Sequence, residues 1–212
     1  MNILTIDTAN ALLCLSLQTL NGIFFYTSET QNYQCEEIVL QINNLLQKAN
    51  TKLQEIHYFG INLGPGSFTG VRIATAYLSG LLAFNPDKKI IQIDTFDISL
   101  EDFLSKNKCH HEVIDIIFKA DIGSGIFIKS YNLKNNTKSI EKYIKTEEFQ
   151  EKINTLYLLE EVVFHKINVI NKELCSKISP LGMQLASIKN INSAESLDKI
   201  KIISPKYLRQ PF

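Results

Sequence analysis

The chain has 212 residues, 45% hydrophobic and 21% charged, and its 22 basic and 22 acidic side chains cancel to zero net charge at pH 7. That length suits one large domain or two small lobes, each with its own core. The charge balance excludes a uniformly basic domain that grips nucleic acid unaided, and no apolar run approaches the ~20 residues that cross a bilayer as a helix.

Met1 to Asp7 has no basic run and carries an acid by its seventh residue, so it does not read as a secretory signal. Asn2–Thr8, Leu12–Leu17 and Ile23–Ser28 are β-rich runs, and Asn21-Gly22 between the last two predicts a type I′ hairpin. Ile38, Ile42, Leu45, Leu46 and Ala49 recur at helical spacing and predict an amphipathic helix over 36–49. A strand at Tyr58–Leu63, a helix over 69–84, a strand at Lys89–Ile93 and a helix at Thr95–Leu104 follow. The second half starts over. Val113–Ala120, Ile126–Asn132 and Ser139–Lys145 read as strands, with a turn at Asn135-Asn136. A helix from Thr146 to Ile153 comes next, with Glu147 and Glu148 in its first turn. Strands at Leu156–Leu159 and Val162–Phe164 and a helix at Pro180–Ile188 complete the order. Three strands, then helix and strand, thus occur twice, which predicts an α/β chain of two related lobes, 1–105 and 106–212.

One segment is more informative than the rest: Gly64-Pro65-Gly66-Ser67-Phe68-Thr69-Gly70-Val71-Arg72, at a strand-to-helix corner. Three glycines there mean a backbone at positive φ or one lying close to something else. Ser67 and Thr69 offer N-cap oxygens, and a helix N-terminus can hold an anion. The spacing fits neither nucleotide pattern. A P-loop needs Gly-Lys-Ser/Thr after four residues, and the dinucleotide pattern fails by one place at Gly70. Pro65 removes a donor that an anion could use. The corner reads as a structural turn, with an anion cradle as the other reading. In the helix after it, Ala76, Ser79, Gly80 and Ala83 form a small-residue face, and Gly80 predicts close approach by another backbone. Arg occurs only at Arg72 and Arg209, where its rigid fork is expected to matter.

The cysteines, Cys14, Cys35, Cys109 and Cys175, form no C-x-x-C pair and read as reduced thiols of a cytosolic protein. The histidines, His57, His110, His111 and His165, lack the spacing of a helical zinc site, and Gly66-Ser67-Phe68 breaks the Gly-x-Ser-x-Gly pattern of a serine hydrolase. Neither a metal nor a catalytic nucleophile is expected. Asp7-Thr8 at the end of the first strand resembles the phosphate-organising carboxylate of the two-lobed actin/hexokinase/Hsp70-like (ASKHA) ATPases, and Asp121-Ile122-Gly123 stands where their second motif opens the other lobe. Here the turn after Asp7 is Ala9-Asn10, without glycine, and no Gly-Gly pair exists to cradle adenosine. The implied fold is ASKHA with duplicated βββαβα lobes and a degenerate nucleotide site, of which Asp7 and Thr8 are the vestige.

The run Gly64 to Ile73 resembles the motif of the TsaB (YeaZ) family of tRNA threonylcarbamoyladenosine synthesis. Ile3-Leu4-Thr5-Ile6-Asp7-Thr8 and Pro205-Lys206-Tyr207-Leu208-Arg209 resemble that family's ends. Gln34-Cys35-Glu36 departs from its usual His-Ser-Glu, and Lys119-Ala120-Asp121 matches its second-lobe strand end only loosely. The resemblance implies a cytoplasmic, non-catalytic scaffold for N6-threonylcarbamoyladenosine (t6A) at adenosine 37 of tRNAs reading ANN codons. It implies no intrinsic cofactor, with ATP and metal in partner subunits: a TsaD-like catalytic subunit and a TsaE-like ATPase. It also implies a homodimer when alone, tRNA contact through the complex, and no membrane. The helices 36–49 and 69–84 are then the partner surface, through Ile38, Ile42, Leu45, Leu46, Ala76, Ser79, Gly80 and Ala83. The alternative reading is a small ATPase or kinase using Asp7 and the 64–70 turn.

Overall fold

The computed structural model describes residues 1–10, 12–29, 34–106, 112–119, 125–145, 153–158, 169–174 and 179–196. Strand β1 (Ile3–Asp7) is buried along its whole length, as befits a strand at the middle of a sheet covered on both faces. β2 (Cys14–Thr19) runs antiparallel to it, with Asp7 opposite Cys14, and β3 (Gly22–Thr27) completes the meander. The hairpin loop is Leu20-Asn21, and it is not type I′. Neither residue takes the positive φ that both central positions of that turn need; Gly22 carries the reversal instead, at φ 134°. A leucine at the first central position would be strained there.

α1 (Gln34–Lys48) lays Ile38, Ile42, Leu45 and Leu46 against this sheet, with Glu36 and Glu37 in its first turn and Lys48 in its last, where each charge suits the helix dipole. A 3-10 turn at Leu53–Glu55 leads to β4 (Tyr58–Asn62), parallel to β1, and α2 (Phe68–Ala83) carries the chain to β5 (Lys89–Ile93), parallel to β4. α3 (Thr95–Lys106) begins directly after β5.

The second sheet is built on β6 (Val113–Lys119) and β7 (Gly125–Asn132), an antiparallel pair. Two short strands, β8 (Thr137–Lys138) and β9 (Lys142–Lys145), replace the single strand expected over 139–145, and both pair with β7. β10 (Ile153–Leu158) runs parallel to β6 and begins at the residue where the expected helix 146–153 was to end. Residues 146–152 and Val162–Phe164 lie outside the described residues, as do Asp121-Ile122-Gly123 and Pro205–Arg209. β11 (Val169–Leu174), parallel to β10, was not expected, because the polar Asn171, Lys172 and Glu173 break its apolar pattern.

α4 (Pro180–Lys189) starts on Ser179, whose hydroxyl accepts from the Gly182 N–H, with Pro at the first helical position. Although the sequence assigns it to the lobe 106–212, α4 packs on α3 and on β1 and β2, and β12 (Glu195–Ser196) pairs with β5. The first sheet therefore runs β12-β5-β4-β1-β2-β3, and the second β11-β10-β6-β7-β8. One core joins Leu4, Ile6, Phe59 and Ile61 to α1 and α2. The other joins Ile3, Ile91 and Ile93 to Phe96 and Phe103 of α3, Met183 and Ala186 of α4, and Ile114 and Ile116 of the second sheet. Thr5 and Ser16 meet α4 through hydrogen bonds instead, Thr5 with Ser187 at 3.0 Å and Ser16 with Gln184 at 2.8 Å. Among the described residues no helix is long and apolar enough to cross a membrane.

Gly80 has no close neighbour. Among the described residues a side chain there would meet nothing within 4 Å, so the backbone approach expected of it does not occur among them. Gly80→Ala is expected to raise stability by about 1 kcal/mol, by adding helix propensity and restricting the unfolded chain. Urea denaturation measures this, and a loss would mean that Gly80 is packed.

Candidate functional site

Three loops meet at the C-terminal edge of the first sheet, around Asp7. Its side chain is fully buried and its carboxylate is fully employed. The Ala9 N–H donates to Oδ1 at 2.7 Å, Asn62 Nδ2 to the same oxygen at 3.0 Å, and Asn10 Nδ2 to Oδ2 at 2.6 Å. Asn62 extends the cluster. It also donates to the Thr95 hydroxyl at 3.0 Å, while its own oxygen accepts the Gly64 N–H at 3.0 Å. Asp7 is thus a turn carboxylate of the β1–β2 loop, tied to the starts of the 64–70 corner and of α3. Burial pushes its carboxyl from 3.8 up to about 6, against the opposing pull of the Asn10, Ala9 and Asn62 donors.

The glycine corner packs onto the loop that follows Asp7. Gly64-Pro65 is a cis peptide, and Gly64 has φ 93°. The Ser67 N–H donates to the Ala9 carbonyl at 2.7 Å, and the Thr8 hydroxyl donates to the Gly70 carbonyl at 2.6 Å. A Cβ on Gly66 would overlap the Ala9 carbonyl oxygen, and one on Gly70 the Thr8 carbonyl oxygen. The glycines exist for this backbone-to-backbone contact. The Gly64, Ser67 and Gly70 N–H groups all have partners within the protein, the last in the Ser67 hydroxyl, which caps α2. Pro65 is clasped by Thr95, whose hydroxyl donates to its carbonyl at 2.7 Å. Thr69 lies exposed. So does Arg72, whose guanidinium stacks over the Phe68 ring at 3.8 Å.

The partner-surface residues separate into two groups. Ala76, Ser79, Gly80 and Ala83 are exposed along one face of α2, and Phe84 beyond it is 89% exposed. Ile38, Ile42, Leu45 and Leu46 are core residues instead, because the apolar stripe of α1 is the side that packs on the sheet. The apolar surface that α1 offers outward is Val39, 51% exposed, and Leu40, 57% exposed.

A second polar cluster was not anticipated. Lys129 on β7 is buried, with Nζ 2.7 Å from Asp94, 3.4 Å from Asp97 and 3.8 Å from Glu141. Asp94 also accepts the Asp97 N–H at 2.7 Å at the start of α3, so the same carboxylate caps a helix of one sheet and binds a lysine of the other. Burial raises the Asp97 carboxyl, but Lys129, the Tyr131 hydroxyl and Lys138 outweigh it and hold Asp97 below the usual carboxylate range. The sequence signal for this cluster was a lysine directly after the apolar run Ile126-Phe127-Ile128, within a strand; for Asn62 it was an amide ending an apolar strand. A groove of about 230 Å³ lies beside this cluster, between α3, the end of α4 and the β7–β8 hairpin. Its acids are paired, Asp97 with Lys138 and Glu101 with Lys189. Among the described residues no three His, Cys, Asp or Glu side chains gather as a metal site.

The pH dependence follows from Asp7. It ionises near 3.8 when unfolded and near 6 in the fold, so the folded state holds the proton more tightly. Its contribution to stability is complete below pH 3.8 and is lost as pH rises through 6, a change on the order of 3 kcal/mol. Wild type should lose that much relative to Asp7→Asn between about pH 4 and pH 7 in denaturant titrations. A difference that does not vary with pH would contradict the raised pKa.

Comparison with known proteins gives consistent relations. Residues 28–211 match the profile of the family described as TsaD, tRNA N6-adenosine threonylcarbamoyltransferase. The chain is 30% identical over 106 residues, 50% of its length and 48% of the relative's, to the tRNA threonylcarbamoyladenosine biosynthesis protein TsaB of Buchnera aphidicola subsp. Baizongia pistaciae (strain Bp). It is 28% identical over 123 residues to the TsaB of Buchnera aphidicola subsp. Acyrthosiphon pisum (strain APS), covering 56% of this chain and 54% of that one. The chain thus spans about half the length of the curated relatives it matches. In structure it superposes with TM-score 0.81 on an uncharacterized Pseudomonas aeruginosa protein with similarity to peptidase YEAZ, at 15% identity and over 98% of this chain and 99% of that one. At that identity the likeness is one of fold.

Proposed function

We propose, because this chain belongs to the TsaD (tRNA N6-adenosine threonylcarbamoyltransferase) family and within it to the TsaB (YeaZ) group, that it is a non-catalytic subunit of a t6A-forming assembly. In this reading it supports a TsaD-like subunit that transfers threonylcarbamoyl to adenosine 37 of tRNAs reading ANN codons. ATP and metal chemistry resides in that subunit and in a TsaE-like ATPase. The observation that carries the reading is the Asp7 site. A carboxylate that organises Mg²⁺ and phosphate needs open oxygens and a glycine turn through which phosphate approaches. Here both oxygens accept protein hydrogen bonds, and the 64–70 backbone packs on the Thr8–Ala9 backbone beside them.

The partner surface in this reading is the outward side of the two helices: Val39 and Leu40 on α1, and the small face of Ala76, Ser79, Gly80 and Ala83 on α2. Small side chains allow close helix approach, and a large exposed apolar patch marks a contact site. Co-purification with a TsaD-like subunit tests it. Ala76→Arg should abolish capture without changing the melting temperature of the isolated chain, because Ala76 is exposed there. Undiminished capture would count against this face. The ATPase reading would gain if calorimetry with ATP and Mg²⁺ gave micromolar binding that Asp7→Ala removed.

A further inference from the structure

Overall neutrality conceals a local imbalance. Residues 125–145 hold five lysines and one glutamate, in a chain whose charges cancel only over its whole length. Lys129 is spent inside the fold on Asp94, Asp97 and Glu141. The other four, Lys134, Lys138, Lys142 and Lys145, are exposed. The topology sets them in a line. β8 and β9 both pair with β7 on the side away from β6, so 137–145 forms an outer margin of the second sheet. The register places Lys138 opposite Tyr131, Lys142 opposite Ile128 and Lys145 opposite Gly125, steps of three residues or ~10 Å each. Lys134 continues the line from the turn before β8. Their side chains alternate between the two faces, so the lysines straddle the margin.

We infer that this margin is a binding surface for the phosphate backbone of an RNA, read by charge and not by sequence. A row of flexible ammonium groups suits a polyanion, because each phosphate contact releases condensed counterions. The partners of Lys134 and Lys138 do not oppose it. Lys134 pairs with Glu112 at 3.1 Å with both side chains more than two-thirds exposed, and an exposed pair of this kind gives way to phosphate at little cost. Lys138, half-exposed, pairs at 3.1 Å with the mostly buried Asp97, which keeps Lys129 and the Tyr131 hydroxyl as partners when Lys138 turns outward. That the RNA is a tRNA rests on the function proposed above; the polyanion surface itself does not. Lysines also guard sheet edges against strand addition, and that role alone is the competing account.

The test is a full-length variant, Lys134→Gln with Lys138→Gln, Lys142→Gln and Lys145→Gln, held with its TsaD-like partner and titrated with an unmodified tRNA transcript over a range of salt. The matching Lys→Arg variant serves as control. The glutamine variant should bind at least tenfold more weakly, with a log–log salt slope shallower by about 3, and the arginine variant should match wild type. Equal affinity and equal slope in the glutamine variant would overturn the inference, and so would failure of the wild-type complex to bind tRNA. Loss of partner capture with tRNA binding intact would also overturn it, pointing to an acidic protein surface. Self-association of the glutamine variant with unaltered tRNA binding would leave the edge-guard role alone. Wild-type tRNA binding without any t6A product would instead defeat the proposed function and leave this surface standing.

Discussion

Gly70→Ala is expected to destabilise the chain by about 3 kcal/mol or more, although it adds helix propensity in the first turn of α2. The Cβ would overlap the Thr8 carbonyl oxygen, and the obstacle is backbone, which cannot swing aside like the end of a side chain. Overpacking usually costs about 1–3 kcal/mol, and the upper end applies where the neighbours are fixed. These neighbours are fixed from several sides: Thr8 donates to Gly70 at 2.6 Å, Ser67 donates to Ala9 at 2.7 Å, and Asp7 holds the Ala9 N–H at 2.7 Å. Against a total stability of about 5–15 kcal/mol, such a loss is visible as poor soluble yield and a large fall in urea midpoint. Ten residues along the same helix, Gly80→Ala carries the opposite sign. A loss below about 1 kcal/mol at Gly70 would show that the two loops are not packed as described.

Lys129→Met should cost a similar amount, about 3–5 kcal/mol, for an electrostatic reason. It removes the cation 2.7 Å from Asp94, a buried carboxylate, while keeping the aliphatic bulk that packs by Phe96 and Tyr131. Removing one member of a buried ion pair leaves the other's charge uncompensated. Adding Asp94→Asn to Lys129→Met should recover part of the loss, since the side-chain oxygen can still accept the Asp97 N–H that starts α3. Recovery by the double variant, measured by denaturant titration of all four combinations, identifies charge as the cause. Equal destabilisation of single and double variants would assign the effect to lost packing. Because Lys129 stands on one sheet and Asp94 and Asp97 at the start of the helix beside the other, the same measurement reports how firmly the two sheets are joined.

The elements legible in the sequence were those whose cause is local. α1 follows from Ile38, Ile42 and Leu45 at helical spacing, and α2 from Ser67 as its cap. The corner was recognisable from its three glycines, but what they approach was not, since Thr8 and Ala9 lie more than fifty residues earlier. Distance also hid Asn62 and Thr95, each an ordinary polar residue until the fold gathers them about Asp7. β12 is two residues long and exists only because β5 offers an edge. Ile38, Ile42, Leu45 and Leu46, expected at a partner surface, are core for a more general reason: periodicity identifies an apolar stripe without saying whether the stripe meets the chain's own sheet or another protein. Val39 and Leu40, off that stripe, carry the outward apolar surface.

A subunit required for t6A formation that does not perform the chemistry leaves a clear signature in the complete reaction, containing TsaD-like and TsaE-like subunits, ATP, the threonylcarbamoyl donor and an unmodified tRNA reading an ANN codon, run with and without this chain. t6A is expected in the nucleoside digest only when the chain is present, and none when the chain is the sole protein. Equal t6A in the reaction that lacks it would rule out the proposed role, as would transfer by the isolated chain.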